Sequence, residues 1–140
     1  MTRTIEDVMT RDVHCVTKDT NLREVARLMH DKKIGDVLVT NRDGTLYGIA
    51  TDRDLVVRGL ATQRDVDKMQ VAEICSNSLA DVAPDAAIED VVQLMRNRAI
   101  RRIPVVRDGK PIGIVSMGDI ARVLDPVSAL AQISRATPNN

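Results

Sequence analysis

Gly48-Ile49-Ala50-Thr51-Asp52-Arg53-Asp54 returns 65 residues later as Gly113-Ile114-Val115-Ser116-Met117-Gly118-Asp119, and this recurrence decides how the rest of the chain is read. Each stretch runs glycine, two apolar residues, a hydroxyl residue, two variable positions and an aspartate. The apolar pair suits the end of a strand and the hydroxyl suits an N-cap, so both stretches predict a strand-to-helix junction. Moving outward, Leu22, Val25, Leu28, Met29, Ile34 and Val39 recur at a shift of 66 as Ile88, Val91, Leu94, Met95, Ile100 and Val105. One motif therefore occurs twice. The one-residue difference between the two shifts falls on Asn41-Arg42-Asp43-Gly44 against Arg107-Asp108-Gly109, turn-forming residues where an indel disturbs nothing else.

Within each copy the hydrophobic period changes in a fixed order. Leu22, Val25, Ala26, Leu28 and Met29 recur at helical spacing, as do Ile88, Val91, Val92, Leu94 and Met95, with Asp19 or Thr20 and Asp85 available as N-caps. Val37-Leu38-Val39 with Leu46 to Ala50, and Ile103 to Val106 with Ile112 to Val115, read as hairpins. A short strand is expected before each helix, around Cys15-Val16 and Leu79-Val82. A second helix is expected after each hairpin, from Asp52 to about Gly59 and from Met117 to Leu124. The order per copy is β-α-β-β-α, an α/β (α+β) fold. Residues 5–60 form the first repeat, 61–70 a polar connector and 71–124 the second repeat. Residues 125–140 give one more short helix, Val127 to Ile133, and a frayed tail. Sixty residues bury too little surface to be comfortable alone, so the halves are expected to pack through their sheets with pseudo-twofold symmetry and two clefts.

Composition narrows the function. Hydrophobic residues make up 44% and charged residues 29% of the 140, the balance of a globular domain. Tyr47 is the only aromatic residue, so the stacking platforms of single-strand binders are missing. Twenty Lys and Arg against twenty Asp and Glu leave no global basic footprint, and nucleic acid is not an expected partner. The first ten residues carry Glu6 and Asp7 and no apolar run, and no later stretch is long enough to span a bilayer, so a cytoplasmic location is expected. Cys15 and Cys75 lack CxxC spacing and read as buried free thiols.

The chemistry sits in the repeated stretches. A hydroxyl at a helix start caps the helix, free backbone N–H groups there favour an anion, and an aspartate on the first turn can accept two hydrogen bonds from vicinal hydroxyls such as a ribose offers. Equally, Thr51 and Ser116 can be ordinary caps and Asp54 and Asp119 complements to the helix dipole. His30 lies on a polar helix face and His14 either flanks a ligand or meets solvent, so neither builds a metal or catalytic set. GxGxxG, GxxxxGK[ST] and HExxH are absent, and Gly113 to Gly118 reads G-x-x-S-x-G, the wrong order for a serine-hydrolase elbow. No catalytic residue and no metal ligand is expected.

The repeat, the strand order and both G-h-h-[TS]-x-x-D stretches together resemble a CBS-domain pair, or Bateman module, over about residues 5 to 124, in the manner of stand-alone bacterial CBS-pair proteins. The resemblance implies a regulatory module that binds an adenosine-type ligand, AMP, ADP or ATP, requires no cofactor and signals to another protein. It implies that Thr51 and Asp54 hold one ribose with Val13 and His14 near the base, and that Ser116 and Asp119 hold another with Ser78 and Leu79 near its base. Arg101 and Arg102, in Ile100-Arg101-Arg102-Ile103-Pro104-Val105, resemble the family's phosphate-contacting strand and are expected to serve the ligand of Thr51 and Asp54. They can also be a solvated charge cluster with Arg96, Arg98 and Arg107. The first repeat has Gly35-Asp36 at that place, the wrong sign for phosphate, so the two clefts are expected to be unequal. Apolar helix faces left over in so thin a chain predict a homodimer. Competing readings are an S-adenosylmethionine or NAD-type sensor, a ligand-free dimerisation scaffold and an enzyme on a nucleotide.

Overall fold

Strands β1 (Cys15–Thr17), β2 (Asp36–Thr40) and β3 (Leu46–Thr51) form one sheet in that order, in a computed structural model that describes residues 3–62, 64–77 and 80–136. β1 runs parallel to β2, with Cys15 opposite Leu38, which requires a crossover, and helix α1 (Leu22–Lys32) supplies it. β2 and β3 are antiparallel, with Asp36 opposite Thr51 and Val39 opposite Gly48. Helix α2 follows β3 at once: a single α turn, Asp52–Asp54, continues into a π turn, Leu55–Gly59. The apolar stripe of α1, Leu22, Val25 and Met29, is buried against Val37, Val39 and Ala50.

The second copy repeats this with one loss. Helix α3 (Ile88–Arg98) precedes β4 (Arg102–Arg107) and β5 (Lys110–Ser116), joined at Asp108 and Gly109, whose φ of 53° and 79° make the tight turn a two-residue hairpin needs. Helices α4 (Met117–Leu124) and α5 (Ala129–Arg135) complete the unit. The expected leading strand shrinks to a single parallel bridge, Val82 to Val105, and Leu79 lies outside the described residues. In the first copy Lys18 N donates to Thr40 O at 2.8 Å; Pro84 stands at the corresponding place and has no N–H to give.

The helix caps also differ from expectation. Asn21, not Asp19 or Thr20, accepts from Arg23 N at 2.8 Å, and Ala87, not Asp85, stands at the N-cap of α3, with no side-chain cap. Asp19 takes the Thr17 hydroxyl at 2.7 Å, which with the nearby Arg42 holds its carboxyl below the usual range. α5 starts two residues later than expected, with Ser128 capping it.

Compact units and sequence repeats do not coincide. The described part of Val13–Leu79 forms one unit; that of Met1–Asp12 joins that of Ala80–Asn140 in the other. The leading segment of each repeat is hydrogen-bonded into the body of the other. Ile5 N donates to Ala86 O at 3.0 Å and Val71 N to Thr20 O at 2.8 Å; Thr10 and Ile114, and likewise Ser76 and Ile49, exchange two backbone bonds. Ile5 and Met9 fill the core with Ile88, Val91, Ile103 and Val115, while Val71 and Ile74 join the core of α1 and β2. The 61–70 stretch is more than a polar tether, since Met69 is buried in that same core.

This pairing explains the glycine that opens each repeated stretch. A Cβ on Gly48 would run into the Ser76 carbonyl, and one on Gly113 would lie 2.5 Å from Met9 Sδ and 3.0 Å from Thr10 O. Glycine is there for the close approach of a backbone. Cys15 is exposed and Cys75 half-buried, which corrects the expectation that both are buried. Both thiols are unbridged, and partial desolvation pushes each above the ordinary cysteine range. Among the described residues no helix is long and apolar enough to cross a membrane.

Candidate functional site

Both repeated stretches close the same reciprocal cap. Thr51 N donates to Asp54 Oδ2 at 2.9 Å while Thr51 Oγ1 accepts from Asp54 N at 3.2 Å. Ser116 N donates to Asp119 Oδ2 at 2.9 Å while Ser116 Oγ accepts from Asp119 N at 3.1 Å. These are capping boxes, with aspartate where glutamate is commoner. The ordinary-cap reading of Thr51 and Ser116 is therefore realised, and each box fixes its carboxylate by one oxygen. The second oxygen, Oδ1, is what each site has left to offer a ligand.

The two copies treat that oxygen differently. Asp54 Oδ1 has Arg58 Nε at 3.9 Å, a loose ion pair, and its side chain keeps 16% exposure. Arg58 spends a second donor on Ile74 O at 3.3 Å. Asp119 Oδ1 accepts directly from Arg122 Nη2, and its side chain keeps only 6% exposure. Neither arginine was singled out from the sequence, although a basic residue three or four places after an aspartate on a helix is a readable signal.

Val13 and His14 are half-buried and lead into β1, with His14 O accepting from Leu38 N at 2.9 Å. They belong to the same unit as Thr51 and Asp54. Ser78 and Leu79, expected beside the other base, lie outside the described residues. Arg101 and Arg102 are exposed in the unit of Ser116 and Asp119. Arg102 is the strand partner of Ser116, as Asp36 is of Thr51. Arg101 O accepts from Met117 N at 2.9 Å, and Arg101 borders a cavity of about 390 Å³ between α3 and α4, lined also by Val92, Met95 and Ile120. The matching groove between α1 and α2, about 360 Å³, is lined by Leu22, Ala26, Leu55 and Leu60. His30 sits 3.0 Å from Asp31 on an exposed helix face. Among the described residues no group of three or more His, Cys, Asp or Glu could hold a metal ion.

The CBS domain profile matches residues 5–61 and again 71–126. Hypoxic response protein 1 of Mycobacterium tuberculosis is 34% identical over 133 residues, covering 95% of this chain and 92% of that one. The crystal structure of Hypoxic Response Protein I, which holds two coordinated zinc ions, superposes with a TM-score of 0.79 over 87% of this chain and 99% of its own. The CBS domain pair of MJ0100, solved with 5′-methylthioadenosine and S-adenosyl-L-methionine, shares the fold at a TM-score of 0.77 and 22% identity, over 91% of this chain and all of that one.

Proposed function

The chain belongs to the CBS-domain family as a tandem pair, and from that premise we propose that it is a non-catalytic sensor of AMP, ADP or ATP that acts in the cytoplasm by changing shape or partner. Pairs of this kind are regulatory modules that commonly bind adenosine-containing ligands. The observation that carries the reading here is the Asp54 carboxylate, oriented by the Thr51 cap through Oδ2 and only loosely engaged through Oδ1. A carboxylate fixed in this way is prepared to accept from the vicinal hydroxyls of a ribose without first being ordered. In this reading Val13 and His14 flank the base, and Arg101 and Arg102 carry the guanidinium forks suited to phosphate. Ser116 and Asp119 form the second and weaker handle.

Thermal shift against AMP, ADP, ATP, S-adenosylmethionine and NADH tests this. A ligand at a hundred times its Kd adds about 2.7 kcal/mol, which for a chain of this length raises the melting temperature by roughly 10 °C. The expected responders are the adenine nucleotides. A response confined to S-adenosylmethionine or NADH reassigns the ligand, no response at all leaves a scaffold, and turnover of a bound nucleotide makes the chain an enzyme.

The same reading includes a homodimer. Val56, Leu60, Met117 and Leu124 are 54%, 64%, 43% and 57% exposed, and Val56, Leu60 and Met117 line the two apolar grooves described above. Surface of this kind on a small domain is normally covered, and a second copy covers it at no cost in new sequence. Light scattering at micromolar concentration should give twice the chain mass; a monomer with and without nucleotide overturns this.

A further inference from the structure

Among the described residues the first repeat has no α-helix at the place of α5, only the 3-10 turns Leu60–Thr62 and Val66–Lys68, and α5 lies against the second handle. Arg122, which engages Asp119 Oδ1 through Nη2, donates through Nη1 to Ser134 O at 3.1 Å and to Ser134 Oγ. Ser134 in turn sits so close to Gly118 that a Cβ there would collide with its hydroxyl. Ser116, Gly118, Asp119, Arg122 and Ser134 thus form one connected cluster, four residues from the repeated stretch and α4 and one from α5. In the first repeat the corresponding chain leaves α2 by a 3-10 turn, Leu60–Thr62, and Arg58 donates instead to the carbonyl of Ile74.

We propose that α5 is a latch on the second handle: Arg122, held by Ser134, covers Asp119, so that docking of α5 and binding of a ribose at Ser116 and Asp119 exclude one another. The proposal rests on the reading of these residues as a ribose handle. Lone pairs are not the obstacle, because a carboxylate has about four acceptor positions. Access is the obstacle, since Asp119 keeps 6% exposure where Asp54 keeps 16%. For a diol to reach Oδ1 the Arg122 guanidinium has to swing away, which breaks its bonds to Ser134 and frees the helix. The helix is built to come off. Its buried anchor is Ala131, a small side chain, while Val127, Leu130 and Ile133 on the same segment are 78%, 38% and 72% exposed. Linkage then makes the coupling reciprocal: whatever draws α5 away favours ligand at Asp119, and ligand at Asp119 favours a released α5.

The test uses the full chain and adenosine, which keeps the ribose and has no phosphate, with calorimetry for stoichiometry and hydrogen exchange for the amides of 129–135. The parent should bind one adenosine per chain. Arg122→Ala should bind two and should raise exchange in 129–135 at least tenfold; Ser134→Ala, which leaves the Asp119–Arg122 pair intact, should raise exchange to a lesser degree and serves where Arg122→Ala folds poorly. A parent that binds one adenosine, with both point variants still at one, overturns the latch and leaves the functional reading standing. A parent that binds neither adenosine nor an adenine nucleotide removes the functional reading, and the latch as a control of binding falls with it.

Discussion

Asp54→Ala is expected to weaken AMP binding about ten- to a hundredfold in calorimetry, while Asp119→Ala leaves it close to the parent value. Hydrogen bonds to a charged group contribute roughly 1.5–3 kcal/mol, and 1.4 kcal/mol is a factor of ten, so losing the carboxylate that receives the ribose produces a loss of that size. Both variants remove one half of a capping box, and Asp119→Ala also strips Arg122 of its partner, so general destabilisation would weaken binding at least as much in Asp119→Ala as in Asp54→Ala. The one-sidedness of the result is therefore what reports on the ligand. If Asp119→Ala abolishes binding and Asp54→Ala does not, the working handle is the other one and both the assignment and the order of the two sites are wrong.

The reasons for that asymmetry were only half visible in the sequence. Charge at the corresponding strand positions, Asp36 against Arg102, was readable by aligning the repeats and already predicted unequal sites. The tighter cover on Asp119 was not, because it depends on Ser134, fifteen positions further along, folding back onto Gly118. Periodicity places residues on a helix face; it does not say which turn of the next helix will meet that face. The same limit explains the shortened leading strand. Two copies of one pattern were expected to fold alike, yet Pro84 removes the one donor with which Lys18 extends the ladder in the first copy. What a repeat does predict well is what is local to it. The strand-to-helix junctions, the hairpin turns and the position of the indel all follow from contiguous residues, and β5 and α4 begin and end close to where their patterns put them.

Least legible was the exchange of leading segments, and it carries the largest expected effect on stability. Aligned at 66 residues, the two leads are equivalent, and nothing in their pattern says which body each one enters. Ile5 is fully buried among Ile88, Val91 and Ile103, and Ile74 is 1% exposed in the core of α1 and β2. Ile5→Ala and Ile74→Ala should therefore each destabilise the protein by about 2–5 kcal/mol, the range for cutting a fully buried Ile to Ala with a cavity left behind. A loose N-terminal arm would give a change within about 0.5 kcal/mol for the first of them. The location of the damage is the sharper measurement. Hydrogen exchange should show Ile5→Ala loosening α3, β4 and β5, some ninety residues away in the chain, ahead of α1 and β2; Ile74→Ala should do the reverse, because local opening follows the packed unit and not the order of the sequence. If Ile5→Ala instead loosens α1, β2 and β3 first, each repeat folds around its own leading segment and the exchange described here is wrong.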